Sequence, residues 1–220
     1  MKNIIFDLDN TLIHSDKAYE LALAECQIDA QIYQQARANV KNLLNQKYLS
    51  PSARNRLLYF KEYLFLLERP HSAGDILALY DRYEEKMLQC LAKQVEQLKR
   101  HELLKKLSLK ADLYILTNEN LKTQLAKVSI VDPKGEFFKG ILTSEEYGFE
   151  KPDRGIFEHL LAKFQLNAAD CFMVGDDYEN DIQPAILLGM KPIQTTEFVS
   201  SKGATGHVIV NDLNKVLEFV

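Results

Sequence analysis

The feature that most constrains the fold is a series of short apolar runs, each of which ends abruptly in polar residues. The first run, residues 3–6, is rich in strand-forming side chains, too short for a helix, and stops at Asp7. Two later runs, 112–116 and 171–174, end in the same way. The segments that follow these runs have helical spacing, and alternation of strands with helices predicts a parallel sheet. Ligands bind beyond the carboxyl ends of such strands, so the three polar ends predict one site.

The residues at these strand ends have the chemistry of a cation site. Asp7 and Asp9 would share one face of an extended segment. Carboxylates this close repel each other unless a cation lies between them or they share a proton. A hard divalent ion with oxygen ligands resolves the repulsion, and Mg²⁺ is the ion we expect. Thr117 and Asp176 follow the other two runs, and Lys151 lies just before a predicted helix.

The segment 16–99 has a different character, with a single glycine and almost no strand pattern. Apolar residues recur there at steps of three and four, which is typical of amphipathic helices. Helix starts are indicated by a Ser-Pro pair at 50–51 and by a capping box at 72–75. We expect an all-helical inserted domain of about four helices at 16–99. An α/β core domain would then comprise 1–15 and 100–220.

This set of motifs resembles the haloacid dehalogenase (HAD) superfamily, most of whose members are Mg²⁺-dependent phosphatases. The family pattern is Asp-x-Asp-x-Thr, a Thr or Ser after the second strand, a Lys, and a Gly-Asp followed by a further Asp. The matching residues are Asp7, Asp9, Thr11, Thr117, Lys151, Gly175, Asp176 and Asp181. The resemblance spans nearly the whole chain. It implies a Rossmann-like parallel sheet, the HAD fold, with the helical insert as a cap of the C1 type.

The resemblance implies how the first two carboxylates act. Asp7 would be the nucleophile that forms an aspartyl-phosphate. Asp9 would be the general acid for the leaving group and then the base for the attacking water. Asp7, Asp176 and the backbone carbonyl of Asp9 would bind Mg²⁺. In this family a Tyr in place of Asp9 marks the true dehalogenases, so the Asp favours phosphate chemistry.

The remaining motif residues would hold the phosphate or support the residues that do. Thr117, Asn118 and Lys151 are expected to bind the phosphoryl oxygens, because phosphoryl transfer depends mostly on positioning and charge stabilisation. Asp181 is expected to orient Lys151 or metal-bound water, and Thr11 to hold the first loop.

Substrate specificity is expected to come from residues near the first motif and in the cap. The candidates are His14, Arg54 and Tyr59, although a solvated loop or helix face is an equal explanation for such residues. Residues 200–206 are the only stretch that has the composition of a flexible loop.

The composition excludes several classes of partner. The net charge of −4 gives no basic footprint for nucleic acid. No apolar run approaches the roughly 20 residues needed to cross a bilayer. The three cysteines are odd in number and fit no metal or redox pattern. We therefore expect a cytoplasmic protein that binds neither nucleic acid nor a membrane. The resemblance and its cap imply that the substrate is a small-molecule phosphate ester, and the sequence leaves open whether the protein is a monomer or homodimer.

The sequence favours a Mg²⁺-dependent phosphomonoesterase acting on a nucleoside monophosphate or sugar phosphate. A phosphomutase of the β-phosphoglucomutase type would use the same nucleophile and return the phosphoryl group to the substrate. A catalytically silent HAD-fold binding protein is the rival from another class. Phosphonate hydrolysis would need a cap lysine that forms a Schiff base, and Lys17, Lys41, Lys47 and Lys61 are in no telling context.

Overall fold

A parallel six-stranded sheet forms the centre of the computed structural model, which describes residues 2–44, 50–68, 70–200, 203 and 206–220. The strand order is β3-β2-β1-β4-β5-β6, and every adjacent pair is parallel. The strands are β1 (Lys2–Phe6), β2 (Ala111–Thr117), β3 (Phe138–Thr143), β4 (Cys171–Gly175), β5 (Lys191–Thr195) and β6 (Val208–Val210). The three apolar runs therefore form β1, β2 and β4, which lie side by side at the centre. The predicted fold class is confirmed.

Strand β1 lies between β2 and β4, and its composition suits that position. Ile4, Ile5 and Phe6 are fully buried, as expected for a strand that is covered on both faces of a parallel sheet. The backbone N–H of Asp7 donates to the carbonyl of Val174 at 2.8 Å, so the pairing with β4 continues one residue past β1. This bond places Asp7 at the carboxyl edge of the sheet.

Helices follow the strands as the alternation predicts. They are α5 (Arg100–Ser108), α6 (Leu121–Val131), α7 (Ser144–Tyr147), α8 (Arg154–Lys163) and α9 (Gln183–Leu187). A π-helical turn, Tyr178–Ile182, follows β4 and leads into α9. Pro184 is the second residue of α9, where a missing N–H is tolerated. A 3₁₀-helix follows β6 at Leu213–Glu218.

The described residues of the insert form four α-helices. These are α1 (Ser15–Glu25), α2 (Ala30–Leu44), α3 (Arg56–Leu66) and α4 (Ala73–Gln97). Both hydrogen bonds of the capping box predicted between Ser72 and Asp75 are present at the start of α4. The helix predicted to start at 50–51 is a 3₁₀-helix, Pro51–Arg54, and Asn55 then caps α3. Lys47 and most of the loop predicted at 200–206 lie outside the described residues.

The two connections between insert and core lie close together. The side chain of Gln94, near the end of α4, bonds the backbone N–H of His14 at 3.0 Å and its carbonyl at 3.2 Å. Just beyond α4, the fully buried Arg100 donates from Nε to the carbonyl of Leu12 at 2.9 Å. These bonds position the four helices beside the loop that carries Asp7 and Asp9. The domain boundary at 16–99 stays a prediction.

None of the helices in the described part of the chain is long and apolar enough to cross a membrane.

Candidate active site

Asp7 is buried at the end of β1, where it contacts one cation and one hydroxyl. Its Oδ1 accepts from Lys151 Nζ at 2.7 Å, and its Oδ2 lies 3.4 Å from Thr11 Oγ1. Burial raises the pKa of Asp7 to about 7, since the charge of Lys151 only partly offsets the loss of solvent and the repulsion from Asp181 and Asp9. Without a further cation, Asp7 is therefore only partly ionised near neutral pH.

Contacts of both its side chain and its backbone fix the position of Lys151. Its Nζ also contacts Asp181 Oδ1 at 2.5 Å. The Asn118 side chain accepts from the Lys151 N–H at 2.7 Å and donates to its carbonyl at 3.0 Å. Burial disfavours the ammonium, but the neighbouring Asp181 and Asp7 outweigh it and raise the pKa of Lys151. Lys151 is therefore a fixed positive charge at the carboxyl edge of the sheet.

Asp176 adds a third carboxylate at the end of β4. Thr11 Oγ1 lies 3.3 Å from Asp176 Oδ1, so the hydroxyl lies between Asp7 and Asp176 as a support for both. Burial, followed by repulsion from Asp7 and Asp181, raises the pKa of Asp176 to about 8. A Cβ at Gly175 would approach the Asp181 side chain to 2.4 Å, so only glycine leaves room for Asp181 here.

The donor set at this edge fits a hard divalent cation. Carboxylate oxygens of Asp7, Asp176 and Asp181 all lie within 4.8 Å of one another. Among the described residues, Lys151 is the one cation in ion-pair contact with this group, through Asp7 and Asp181. Burial, and after it this excess of negative charge, raises the pKa values of Asp7 and Asp176. Oxygen ligands with excess negative charge are what Mg²⁺ requires.

Asp9 lies in different surroundings, where three side chains donate to its carboxylate. Lys127 Nζ contacts Oδ1 at 2.7 Å, Tyr19 OH donates to Oδ1 at 3.0 Å, and Gln124 Nε2 donates to Oδ2 at 2.8 Å. Burial acts to raise the pKa of Asp9, but Lys127 outweighs it and holds the pKa well below the usual range. The carboxylate is outside the Asp7–Asp176–Asp181 set, so a metal contact from Asp9 through its backbone carbonyl stays a prediction.

The contacts of Asp9 continue into the cap. Lys127, fully buried on α6, also contacts Glu119 at 3.0 Å. Glu119 forms a second ion pair with Arg56, the first residue of α3. The Arg56 guanidinium lies 4.3 Å from the centre of the Tyr19 ring. A continuous buried chain of contacts therefore joins α3 of the insert to Asp9.

The sequence interpretation missed the partners of Asp9. Lys127, Gln124 and Tyr19 lie on helices whose patterns match ordinary amphipathic helices, so no local signal distinguishes them. Glu119, a charged residue directly after Thr117 and Asn118, was the one available signal.

The predicted phosphate-binding residues line one cavity of about 140 Å³, the catalytic cavity. Thr117 is fully buried, and its Oγ1 lies 2.6 Å from Gln124 Nε2. The Asn118 side chain is committed to the backbone of Lys151, which leaves its backbone N–H as the candidate phosphate donor. The other predicted residues in the lining are Asp7, Asp9, Lys151, Asp176, Asp181 and Arg54.

The three residues predicted to set substrate specificity, Arg54, Tyr59 and His14, lie in different surroundings. Arg54 lines the catalytic cavity and also an adjoining one on the cap side, of about 130 Å³, and pairs with Glu150 at 2.7 Å. Tyr59 is buried in the lining of the adjoining cavity, where its hydroxyl donates to the Ala53 carbonyl. The His14 ring instead stacks on Phe198, with ring centres 4.9 Å apart. Among the described residues, His14 is not part of the lining of either cavity.

Comparison with known proteins agrees with this geometry. The model of the haloacid dehalogenase-like hydrolase family matches residues 1–189. The chain is 33% identical to a ribulose-1,5-bisphosphate 5-phosphatase of Halopiger xanaduensis, over 86% of this chain and 82% of that protein. It is 29% identical to a glyceraldehyde 3-phosphate phosphatase of Methanocaldococcus jannaschii, with the same coverage.

A solved structure shows the same fold. The HAD-hydrolase YfnB from Bacillus subtilis, determined with bound magnesium, superposes with a TM-score of 0.71. The match covers 99% of this chain and 97% of that chain at 20% sequence identity. The sheet, the arrangement of the motif residues and the family match agree. The chain therefore belongs to the haloacid dehalogenase-like hydrolases.

Proposed function

We propose that this hydrolase is a Mg²⁺-dependent phosphomonoesterase that acts on a small sugar phosphate through an aspartyl-phosphate on Asp7. The observation that carries the proposal is the position of Asp7, between Lys151 at 2.7 Å and the carboxylate group that includes Asp176. A nucleophilic carboxylate must attack a phosphate that is itself anionic, so it needs nearby positive charge. Lys151 supplies part of this charge, and Mg²⁺ bound by Asp7 and Asp176 would supply the rest.

Asp7 is positioned to attack phosphorus while its neighbours hold the phosphate. Lys151 and Thr11 fix the two carboxylate oxygens, which reduces the number of orientations available to the nucleophile. Lys151, Thr117 and the N–H of Asn118 line the same cavity and would contact the non-bridging phosphoryl oxygens. This arrangement supports in-line attack with charge stabilisation, which is what phosphoryl transfer requires.

Asp9 would act as the acid and base of the two half-reactions. With Lys127 at 2.7 Å the ionised form is favoured, and this form suits the second step, in which Asp9 takes a proton from water. In the first step Asp9 must carry a proton to the leaving alkoxide. That step requires a weaker contact with Lys127, so Lys127 controls when Asp9 can act as an acid.

The size of the cavities and the names of the relatives support a sugar phosphate rather than a nucleotide. The catalytic and adjoining cavities, of about 140 and 130 Å³, are each below the roughly 300–1,000 Å³ of pockets for drug-sized ligands. The two relatives described above are named for ribulose-1,5-bisphosphate and glyceraldehyde 3-phosphate. The magnesium in the YfnB structure supports the choice of metal. A cytoplasmic location and a monomeric or homodimeric state remain part of the proposal.

The test is release of inorganic phosphate from a panel of triose, pentose and hexose phosphates and nucleoside monophosphates. Each ester is assayed with Mg²⁺ and with chelator, for the wild type and for Asp7→Asn. We expect release that requires both Mg²⁺ and Asp7 and is fastest with a sugar phosphate. Transfer of phosphate between hydroxyls with little net release would identify a mutase. No turnover of any ester, together with Mg²⁺ binding, would identify a silent binding protein.

A further inference from the structure

The cavity next to the catalytic one is lined by four cations, and we name it the basic cavity. These are Arg37, Lys41, Arg54 and Arg56, all from the insert, and the carboxylates in the same lining are Asp9, Asp16 and Glu119. It shares four lining residues with the catalytic cavity: Asp9, Asn10, Arg54 and Asn118. A ligand whose phosphate lies in the catalytic cavity would therefore extend directly into the basic cavity.

Two of the four cations are balanced by carboxylates of the core, and two are not. Arg54 pairs with Glu150, and Arg56 pairs with Glu119. Arg37 and Lys41 have no carboxylate within ion-pair distance among the described residues. The one hydrogen bond of the Arg37 side chain in that part of the chain is to Gln34, at 3.4 Å. The basic cavity thus has a surplus of positive charge on its α2 wall.

The two unpaired cations lie beside each other at a cost in free energy. Arg37 and Lys41 are four residues apart on α2, so their side chains are neighbours on one helix face, and like charges at this spacing are destabilising. Burial, followed by repulsion from Arg37 and Arg54, lowers the pKa of Lys41 to about 8. The C-terminal end of α2 favours one cation in its last turn. This effect of the helix end does not explain why a second cation, Arg37, lines the same cavity.

A wider depression next to the catalytic cavity, on the side of Asp176, has the reverse charge. It is about 620 Å³ in volume and is lined by Asp16 (which also lines the basic cavity), Asp176, Asp177 and Glu179, and its described lining residues include no Lys or Arg. An anionic group on the substrate would be repelled from that side. The basic cavity is the compatible place for it.

We propose that the basic cavity binds a second anionic group of the substrate, a phosphate or a carboxylate, while the scissile phosphate lies beside Asp7. Arg37 and Lys41 are the residues that select for this group, because neither has a carboxylate within ion-pair distance in the part of the chain that the structure describes. The proposal rests on the proposed function and narrows its substrate class to phosphate esters with a second anion.

The experiment compares matched pairs of esters that differ in the second anion. Ribose 1,5-bisphosphate is compared with ribose 5-phosphate, and 3-phosphoglycerate with glycerol 3-phosphate, so that one pair tests a phosphate and the other a carboxylate. The proteins are the wild type, the double variant Arg37→Gln/Lys41→Met, and Lys93→Met as a control. Lys93 is an exposed lysine of α4 outside both cavities.

We expect the wild type to prefer the doubly anionic member of at least one pair by about 10- to 100-fold in kcat/KM, mainly through KM. The double variant should bring that ratio close to 1, and Lys93→Met should leave it unchanged. A wild-type ratio near 1 in both pairs, or a ratio that survives in the double variant, would overturn the proposal. Borohydride reduces an imine between a lysine and a carbonyl substrate to a stable adduct. Such an adduct on Lys41, formed only with substrate present, would also overturn the proposal, since a lysine that forms an imine does not act as an anion-binding cation.

A binding measurement separates this proposal from the proposed function. Calorimetry on Asp7→Asn, which we expect not to turn over, measures the affinity for the same pairs with and without the Arg37→Gln/Lys41→Met changes. Preference for the second anion without hydrolysis by the wild type would leave this inference standing and reject the phosphatase. Hydrolysis of simple monoesters without any such preference would reject this inference alone.

Discussion

Two buried lysines organise the centre of this protein, and they differ in how completely they balance the charge around them. Lys151 contacts Asp7 and Asp181, with the carboxylate of Asp176 close by. Lys127 contacts Asp9 and Glu119. The first cluster has three carboxylates for one lysine. The second cluster has two carboxylates, Asp9 and Glu119, for two cations. These are Lys127 and Arg56 of the cap, which also pairs with Glu119.

The difference in balance explains why the pKa values of Asp7 and Asp9 are shifted in opposite directions. Around Lys151, burial and repulsion raise the pKa of Asp7 to about 7 and that of Asp176 to about 8. Around Lys127, attraction outweighs burial and holds the pKa of Asp9 well below its usual range. An under-compensated cluster is suited to bind a cation. A balanced cluster is suited to hold an ionised residue in a defined orientation.

The largest expected effect comes from replacing Asp7, the proposed nucleophile, in the under-compensated cluster. Asp7→Asn should lower kcat for phosphate release by roughly 10⁴- to 10⁶-fold, because no other step replaces the covalent one. Asp112→Asn makes the same chemical change at the opposite end of β2 and is the control. If Asp7→Asn kept a tenth of the wild-type rate, Asp7 would not be the nucleophile.

Removal of the metal should have the next largest effect. Chelation should lower the rate by about 10³-fold or more, since a bound cation provides several kcal/mol of charge stabilisation. The measurement is a Mg²⁺ titration of phosphate release after chelator treatment, with recovery on adding Mg²⁺ back. Full activity in chelator would mean that Lys151 alone compensates the three carboxylates.

Disruption of the balanced cluster should have a smaller effect on rate and a distinctive effect on pH dependence. In Lys127→Met, burial would dominate and raise the pKa of Asp9, so the acid limb of kcat, which reports ionised Asp9 as the base of the second step, should move to higher pH. The rate at neutral pH should fall about 100-fold. Unfolding should become easier by about 3–5 kcal/mol, because Asp9 and Glu119 lose a buried partner.

The matched control is Lys122→Met, on the same helix and with its side chain 71% exposed. Lys127→Arg, which keeps the charge, should restore part of the wild-type pH profile. A Lys127→Met protein that is less stable but has an unchanged profile would show that Lys127 acts on folding alone.

The smallest expected effect is the pH dependence of stabilisation by Mg²⁺. Between about pH 4 and 8 the metal-free folded protein holds protons on Asp7 and Asp176 that the unfolded chain has lost. The free energy of unfolding of the metal-free protein should therefore fall as pH rises through this window. Mg²⁺ competes with these protons, so it should stabilise more at high pH.

Thermal unfolding with Mg²⁺ and with chelator, at pH 6 and pH 8.5 and equal ionic strength, measures this effect. The difference in Tm between the two conditions should widen with pH by about 2–8 °C, which corresponds to about 1–2 kcal/mol for a chain of this size. A difference that is constant or narrows would mean that the carboxylates do not release protons when the metal binds.

The under-compensated cluster was predictable from sequence, and the balanced one was not. Asp7 and Asp176 directly follow apolar strands of a parallel sheet. The carboxyl ends of such strands lie at the same edge of the sheet, regardless of the conformation of the loops. Lys151 was found through its place in the family motif. The positions of Asp7 and Asp176 follow from the backbone of the sheet, and that of Lys151 follows from the order of the family motifs along the chain.

The partners of Asp9 depend on how helices pack, which no short-range pattern specifies. Lys127 is buried because α6 faces Tyr19 of α1 and Glu119, and in sequence it is one lysine of an amphipathic helix. Arg37 and Lys41 line a cavity only through the placement of the insert beside the sheet. The π-helical turn before α9 was missed as well, since the helical pattern around Pro184 does not distinguish one helix type from another.

The space that Gly175 leaves for Asp181 has a consequence for how the sequence can change. A side chain at position 175 would occupy the volume of the Asp181 carboxylate, which contacts Lys151. The residues tolerated at position 175 therefore depend on the residue at position 181. Substitutions at the two sites should be strongly non-additive, because the cost of adding a methyl group at 175 depends on what stands at 181. We therefore expect the two positions to vary together, and a lineage that lost the acid at 181 would also lose the steric requirement for glycine at 175.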